Sequence, residues 1–136
     1  MAAKLKLKKR DYTLKEENDV YISKIGHIVG KVKGVIFEVE IQDFRIFEFD
    51  DTMLATMNVA DDTGSIMAFL IGNRDDGTKA VFKKIVKGER YQMRGNVVVM
   101  DEEMVEIYQE MVSIPSKELL GQKAFFLLAF SKLNEK

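Results

Sequence analysis

The sequence predicts an all-β domain of five strands, with a short helix between the third and fourth and an added C-terminal α-helix. Three observations carry this. Val35, Phe37, Val39 and Ile41 alternate with Ile36, Glu38, Glu40 and Gln42, the period-2 mark of a half-buried strand. Two further alternating runs, Met53 to Val59 and Ile66 to Ile71, meet across Asp61-Asp62-Thr63-Gly64. There, short polar side chains bond their own backbone and a Gly is free to take φ > 0, which makes a hairpin. Near the end, Ala124 to Phe130 is apolar on every side of a helix, so that helix must be buried.

In chain order, residues 1–22 form a basic and polar arm. Lys4, Lys6, Lys8, Lys9 and Arg10 stand there without an acid until Asp11, as a solvated terminus or as an arm for phosphates. Val20-Tyr21-Ile22 reads as a short strand or strap. Gly34, inside the first strand, suggests a bulge. The parity slips after Gln42-Asp43, and Phe44, Ile46, Phe47 and Phe49 read as an extended connection to the second strand. In that second strand, Met53 to Ala60, Ala55, Met57 and Val59 point inward, with Thr56 and Asn58 outside. In the third, Ile66, Ala68 and Leu70 point in, and Met67 and Phe69 face out. A helix over Lys79 to Val86 follows a turn-rich loop. The fourth strand turns Tyr91, Met93, Gly95 and Val97 inward and Arg90, Gln92, Arg94 and Asn96 outward. A turn at Met100–Glu103 leads to a fifth strand with Val105, Ile107 and Met111 buried and Glu106, Tyr108 and Glu110 opposite. Ser116 then caps a helix over Lys117 to Leu133. The division is thus 1–22, 23–115 and 116–136.

The 136 residues, 46% hydrophobic, suit one domain with a real core. There is no cysteine and a single histidine, His27, which excludes disulfides, thiolate metal sites and His-rich zinc sites. No phosphate-binding loop, dinucleotide fingerprint, zinc-protease motif or nucleophile elbow occurs. The acid pairs Asp50-Asp51, Asp61-Asp62 and Asp75-Asp76 sit beside turns, where Asp serves the backbone; a Mg²⁺ site would need a third ligand that the pattern does not supply. The expectation is a non-enzymatic protein without cofactor or metal. With no apolar run of spanning length and no signal-peptide core, it is expected to be cytoplasmic and to have no membrane partner. The net charge is −1, but it is blocky: nine basic against four acidic residues over 1–35, one against eight over 36–62, seven against three over 63–100, and four against seven over 101–136. Such blocks can create a local positive groove, or mean nothing.

Gly34 to Glu40, Ala60 to Ile66 and Lys87 to Val97 resemble, in order, the first strand, central turn and fourth strand of the OB domain near the N-terminus of PolC-type replicative DNA polymerase α subunits. The resemblance covers roughly residues 27–115. It implies a five-stranded OB barrel over 23–115, plugged at one end by Phe82 and Ile85. It also implies binding of single-stranded DNA, or RNA, in replication. Aromatics interleaved with arginine suit base stacking, which puts Phe44, Arg45 and outward Phe69 forward. The polar row of Arg90 and Arg94, with Lys33 and Tyr108, completes the expected nucleic-acid site. Phe44, Phe47 and Phe49 could instead extend the core, and Phe69 could be covered. Residues 116–136 resemble in position the helix after the barrel in the trimerising OB subunits of the eukaryotic single-strand-binding protein. Phe125, Phe126, Leu128 and Phe130 would then bind a second copy or a replication protein, making a protein-interaction module the alternative function.

Overall fold

A computed structural model describes residues 22–133. A two-residue strand β1 (Ile22–Ser23) and a 3₁₀ turn (Ile25–His27) precede the long strand β2 (Val32–Phe49). Then come β3 (Thr52–Asp61), β4 (Gly64–Asn73), helix α1 (Asp76–Phe82), β5 (Arg90–Val99), helix α2 (Glu102–Val112), a 3₁₀ turn (Lys117–Leu119) and β6 (Lys123–Lys132).

The barrel closes because β2 is long enough to serve two partners. Residues Val32 to Glu40 pair with β5 and residues Glu40 to Phe49 pair with β3. The sheet runs β1-β2-β3-β4-β6-β5, and the β2–β5 pairing shuts it. The β4–β6 pair is parallel, and the other barrel pairs are antiparallel. Five strands in this order, with a helix between the third and fourth, make an OB fold, to which β1 adds a sixth strand. The bulge expected at Gly34 is present: the register shifts between Val32 and Val35, and Gly34 takes φ 70°, a left-handed conformation that glycine adopts without penalty.

The inward parities of the first four barrel strands stand. Val35, Phe37, Val39, Ile41, Ala55, Met57, Val59, Ile66, Ala68, Tyr91, Met93 and Val97 share one buried cluster with Phe82 and Ile85. Helix α1 starts earlier than Lys79 because the Asp75 side chain accepts a hydrogen bond from Thr78 N at 2.8 Å and caps it. The Tyr91 hydroxyl donates to the Lys84 carbonyl (2.6 Å) and accepts from Val86 N (3.0 Å). That ties the chain leaving α1 to the barrel floor.

Three expectations are corrected. The parity slip after Gln42 is a bulge between Ile41 and Asp43, not the end of a strand. Phe44 to Phe49 continue β2, and the link to β3 is the tight turn at Asp50-Asp51, with Asp50 at φ 52°. Next, residues 105–111 are helical. Asp101 accepts from Met104 N (2.9 Å), and Glu102 and Glu103 fill the first turn: a helix start with charges suited to its dipole, not a strand turn. Val105 and Val112 are buried while Ile107 is exposed, as a 3.6-residue period requires.

Finally, the helix expected over 116–136 is strand β6; the added α-helix of the C-terminal third lies before it, at Glu102–Val112. Phe125 and Leu127 face the barrel core, whereas Ala124 and Phe126 face a second cluster beneath α2. A strand covered on both faces reads as a continuous apolar run, which periodicity cannot tell from a buried helix. The barrel thus draws its last strand from the segment expected to stand apart from it.

Candidate nucleic-acid interface

The outer surface of β3 and β4 is set by register. Arg45 lies opposite Thr56, Thr56 opposite Phe69, and Phe69 beside Phe126 of β6. Phe69 points out of the barrel, as its parity predicts, but α2 roofs it. It is 2% exposed, with its ring 5.1 Å from Phe126 and edge-on to Tyr108 at 5.4 Å. In this structure it packs the helix onto the sheet and presents no stacking face.

What α2 leaves open is a groove beside it. One end, of about 210 Å³, is lined by Phe44, Arg45, Thr56, Asn58, Tyr108 and Glu118, among others. Asn58, Met67, Glu118 and Leu119 also line a second depression of about 320 Å³ that reaches Ser65, Gln122 and Lys123. The two share walls and form one channel across the hairpin. Its ends are positive: Arg45, whose Cζ lies 5.1 Å from the Phe47 ring centre, and Lys123, whose Nζ donates to the Ile28 carbonyl at 2.6 Å. A guanidinium over an aromatic face is held by the ring quadrupole. Burial pushes the Tyr108 hydroxyl above its ordinary value near 10, and a hydrogen bond with the Thr56 side chain and the charge of Arg45 oppose that rise. The phenol therefore stays protonated at neutral pH. Asp43 and Glu118 also line the channel, so it is not a strongly basic one.

Of the residues expected to bind nucleic acid, Phe44, Arg45 and Tyr108 come together here. Arg90, Arg94 and Lys33 do not line it. Arg94 has Ile36 and Ala129 as cross-strand neighbours, and Arg90 lies opposite Glu40; Lys33 is exposed at the start of β2. Asn58, Ser65, Gln122 and Lys123 were missed. The sequence signals only a solvent-facing Asn58, and Gln122 and Lys123 fell within the supposed helix. Of the expected partner surface, Phe125 is fully buried, Phe126 packs beneath α2, Phe130 meets Tyr91 edge-on at 5.7 Å, and Leu128 is exposed. The basic stretch of residues 4–10 lies outside the described residues.

In two of the acid pairs one member serves the backbone, Asp75 as the cap of α1 and Asp61 in the hairpin. Asp61 accepts from the N–H groups of Ile25 (2.8 Å), Thr63 (2.7 Å) and Gly64 (3.2 Å) and from the Thr63 hydroxyl (2.6 Å). Asp62 pairs with Lys24 at 2.8 Å. Among the described residues, no three His, Cys, Asp or Glu side chains converge as a metal site would require, and no helix is long and apolar enough to cross a membrane.

No protein-family model matches the chain, and no curated protein matches it in sequence. Solved structures do. The second OB-fold domain of replication protein A from Methanococcus maripaludis matches with a TM-score of 0.55 at 15% identity, over 85% of this chain and 98% of that one. RecG, in a structure bound to a three-way DNA junction, matches with a TM-score of 0.55 at 12% identity over 88% of this chain, which spans only 13% of RecG. Such identities establish the fold. The likeness is to the OB fold, shared with domains of replication protein A and RecG, and not to PolC-type polymerase domains in particular.

Proposed function

We propose that this domain binds single-stranded nucleic acid, DNA in the setting of replication, along the channel from Phe44 and Arg45 to Lys123. The observation that carries this is the channel itself. It crosses the strand 2–3 face of the barrel, between the β2–β3 hairpin and the segment joining strands 4 and 5, the surface with which OB folds grip oligonucleotides. Tyr108 and Phe44, the latter half-buried against the barrel core, offer stacking surfaces, Arg45 and Lys123 contact phosphates or stack as cations, and Asn58 and Gln122 supply neutral hydrogen bonds that suit any base. The fold likeness to a replication protein A domain and to RecG supports the reading, as does the sequence resemblance to a replicative polymerase module.

The test is fluorescence anisotropy with a labelled oligo-dT of about 30 nucleotides. Arg45→Ala and Phe44→Ala are each expected to weaken binding about tenfold, in line with about 1–3 kcal/mol per stacked base, while Arg94→Ala leaves it unchanged. Absence of binding at low salt overturns the reading. Loss with Arg94→Ala alone moves the site to the β2–β5 face and overturns the channel.

A further inference from the structure

A second surface lies on the far side of Tyr108. Between α2 and the sheet is a slot of about 200 Å³ whose lining is almost wholly apolar. Met104, Ile107, Tyr108 and Met111 form one stripe of the helix, at the i, i+3, i+4, i+7 spacing of a single face. Opposite stand Leu54, Phe69 and Ile71 of the strands. The slot is open at its rim, where Ile107 is 52% and Ile71 51% exposed. Flexible thioethers let such a slot adapt to different side chains.

The rim is acidic. Glu103 and Glu110 flank Ile107 at i−4 and i+3, and Glu102 and Glu106 stand on the same exposed side of α2. No Lys or Arg occurs between Met100 and Lys117, and none lines the slot. An apolar slot edged by carboxylates repels a phosphate backbone and attracts cations.

We propose that this slot is a docking site for a partner protein's basic amphipathic segment, which places an apolar side chain between Ile107 and Ile71 and its Lys or Arg side chains against Glu103 and Glu110. Charge complementarity selects this occupant over nucleic acid. It also disfavours a second copy that docks through its own α2, since the same acidic helix would have to meet itself; docking of a second copy through its basic residues 4–10 is the outcome that a dimer dispersed by Ile107→Ser would report. The slot shares Tyr108 with one end of the channel and the buried Phe69 and Met100 with the other; these side chains stand between the two surfaces, so both can be filled at once.

The test uses the full chain and a fluorescein-labelled 14-residue amphipathic helix of leucine and lysine. Binding is expected to be saturable and to weaken with salt. It should fall at least tenfold in Ile107→Ser, which changes no charge, and in Glu103→Gln with Glu110→Gln. Both variants alter exposed positions and should leave the unfolding transition and oligo-dT binding as they are. The corresponding neutralisation of Glu38 and Glu40, on another face, is expected to leave peptide affinity unchanged. Peptide binding that ignores Ile107→Ser, or that Glu38 and Glu40 neutralisation reduces equally, is diffuse attraction and overturns the proposal. So does a chain that sediments as a dimer dispersed by Ile107→Ser, or a peptide displaced by oligo-dT. The peptide-affinity and sedimentation outcomes do not depend on whether the channel binds nucleic acid.

Discussion

Asp61 shows how one side chain can hold two elements at once. Its carboxylate accepts three backbone N–H groups, one of them from Ile25 in the strap that precedes the barrel. Ile25 is itself buried in the core, so the bond pins an apolar plug as well as a turn. Asp61→Ala leaves these donors without their charged acceptor, and an expected loss of about 1.5–3 kcal/mol should appear in urea unfolding; a loss below about 0.5 kcal/mol would mean that water replaces the carboxylate, as at ordinary surface positions. Burial alone would raise the Asp61 pKa, but the Thr63 hydroxyl and the three N–H groups outweigh it and hold the group below its ordinary value. A carboxyl lowered in the folded state stabilises above its unfolded pKa of about 3.9 and loses that contribution as pH falls through the lower folded value. The difference in stability between the parent and Asp61→Ala should therefore stay constant from neutral pH down to about pH 5 and close only below about pH 4. Gly95 makes a different demand. A Cβ there would sit 2.1 Å from the Phe126 carbonyl oxygen, backbone that cannot rotate away. Gly95→Ala is expected to cost about 1–3 kcal/mol or more, by forcing β5 and β6 apart.

Helix α2 decides what could be read from the sequence. Where a strand has one core face and one wet face, as in Val35–Ile41 or Tyr91–Val97, alternation reveals both its type and its parity. Helix α2 covers the outer surface of β3, β4 and β6, and every position beneath it loses that signal. Phe69 looks exposed by parity and is buried, and the apolar run that begins at Ala124 looks like a helix because both faces are covered over Ala124–Leu127, before Leu128 emerges to solvent. Helix and strand were consequently exchanged in the last third of the chain, although Asp101-Glu102-Glu103 does carry a helix-start pattern. The channel is legible in the sequence where aromatics and an arginine interleave, at Phe44 and Arg45, and at Tyr108, which is expected on a strand and reaches the channel from a helix. Gln122 and Lys123 join it through the parallel pairing of β4 with β6, a long-range match that no local pattern encodes. If α2 is held by its cap and by Val105 and Val112, Asp101→Ala should cost about 1 kcal/mol. It should also speed amide exchange in α2 and around Phe69 more than in β2 or β5. Equal acceleration across the barrel would show that α2 and the sheet open as one unit.

At the scale of the molecule, the separation of charge sets the kind of nucleic-acid binding that is physically available. The chain is near neutral, with a net charge of −1, and its channel offers Arg45 and Lys123 against Asp43 and Glu118. Arg90 and Arg94 lie on another part of the barrel, where Glu38 and Glu40 share the surface. A channel so constituted neutralises one or two phosphates. For a single strand each contact contributes about −0.7 to the slope of log K against log salt concentration, so the slope for oligo-dT should lie near −0.7 to −1.4. Most of the affinity must then come from stacking on Phe44 and Tyr108, which salt hardly touches. Arg45→Ala should make the slope shallower by about 0.7, whereas Phe44→Ala should lower affinity at every salt concentration without changing the slope. A measured slope steeper than about −3 would require four or more neutralised phosphates. The channel has no side chains to supply them. The strand would then run over Lys33, Arg90 and Arg94 or the basic residues 4–10, and the charge blocks of the sequence would outweigh the channel in defining the site.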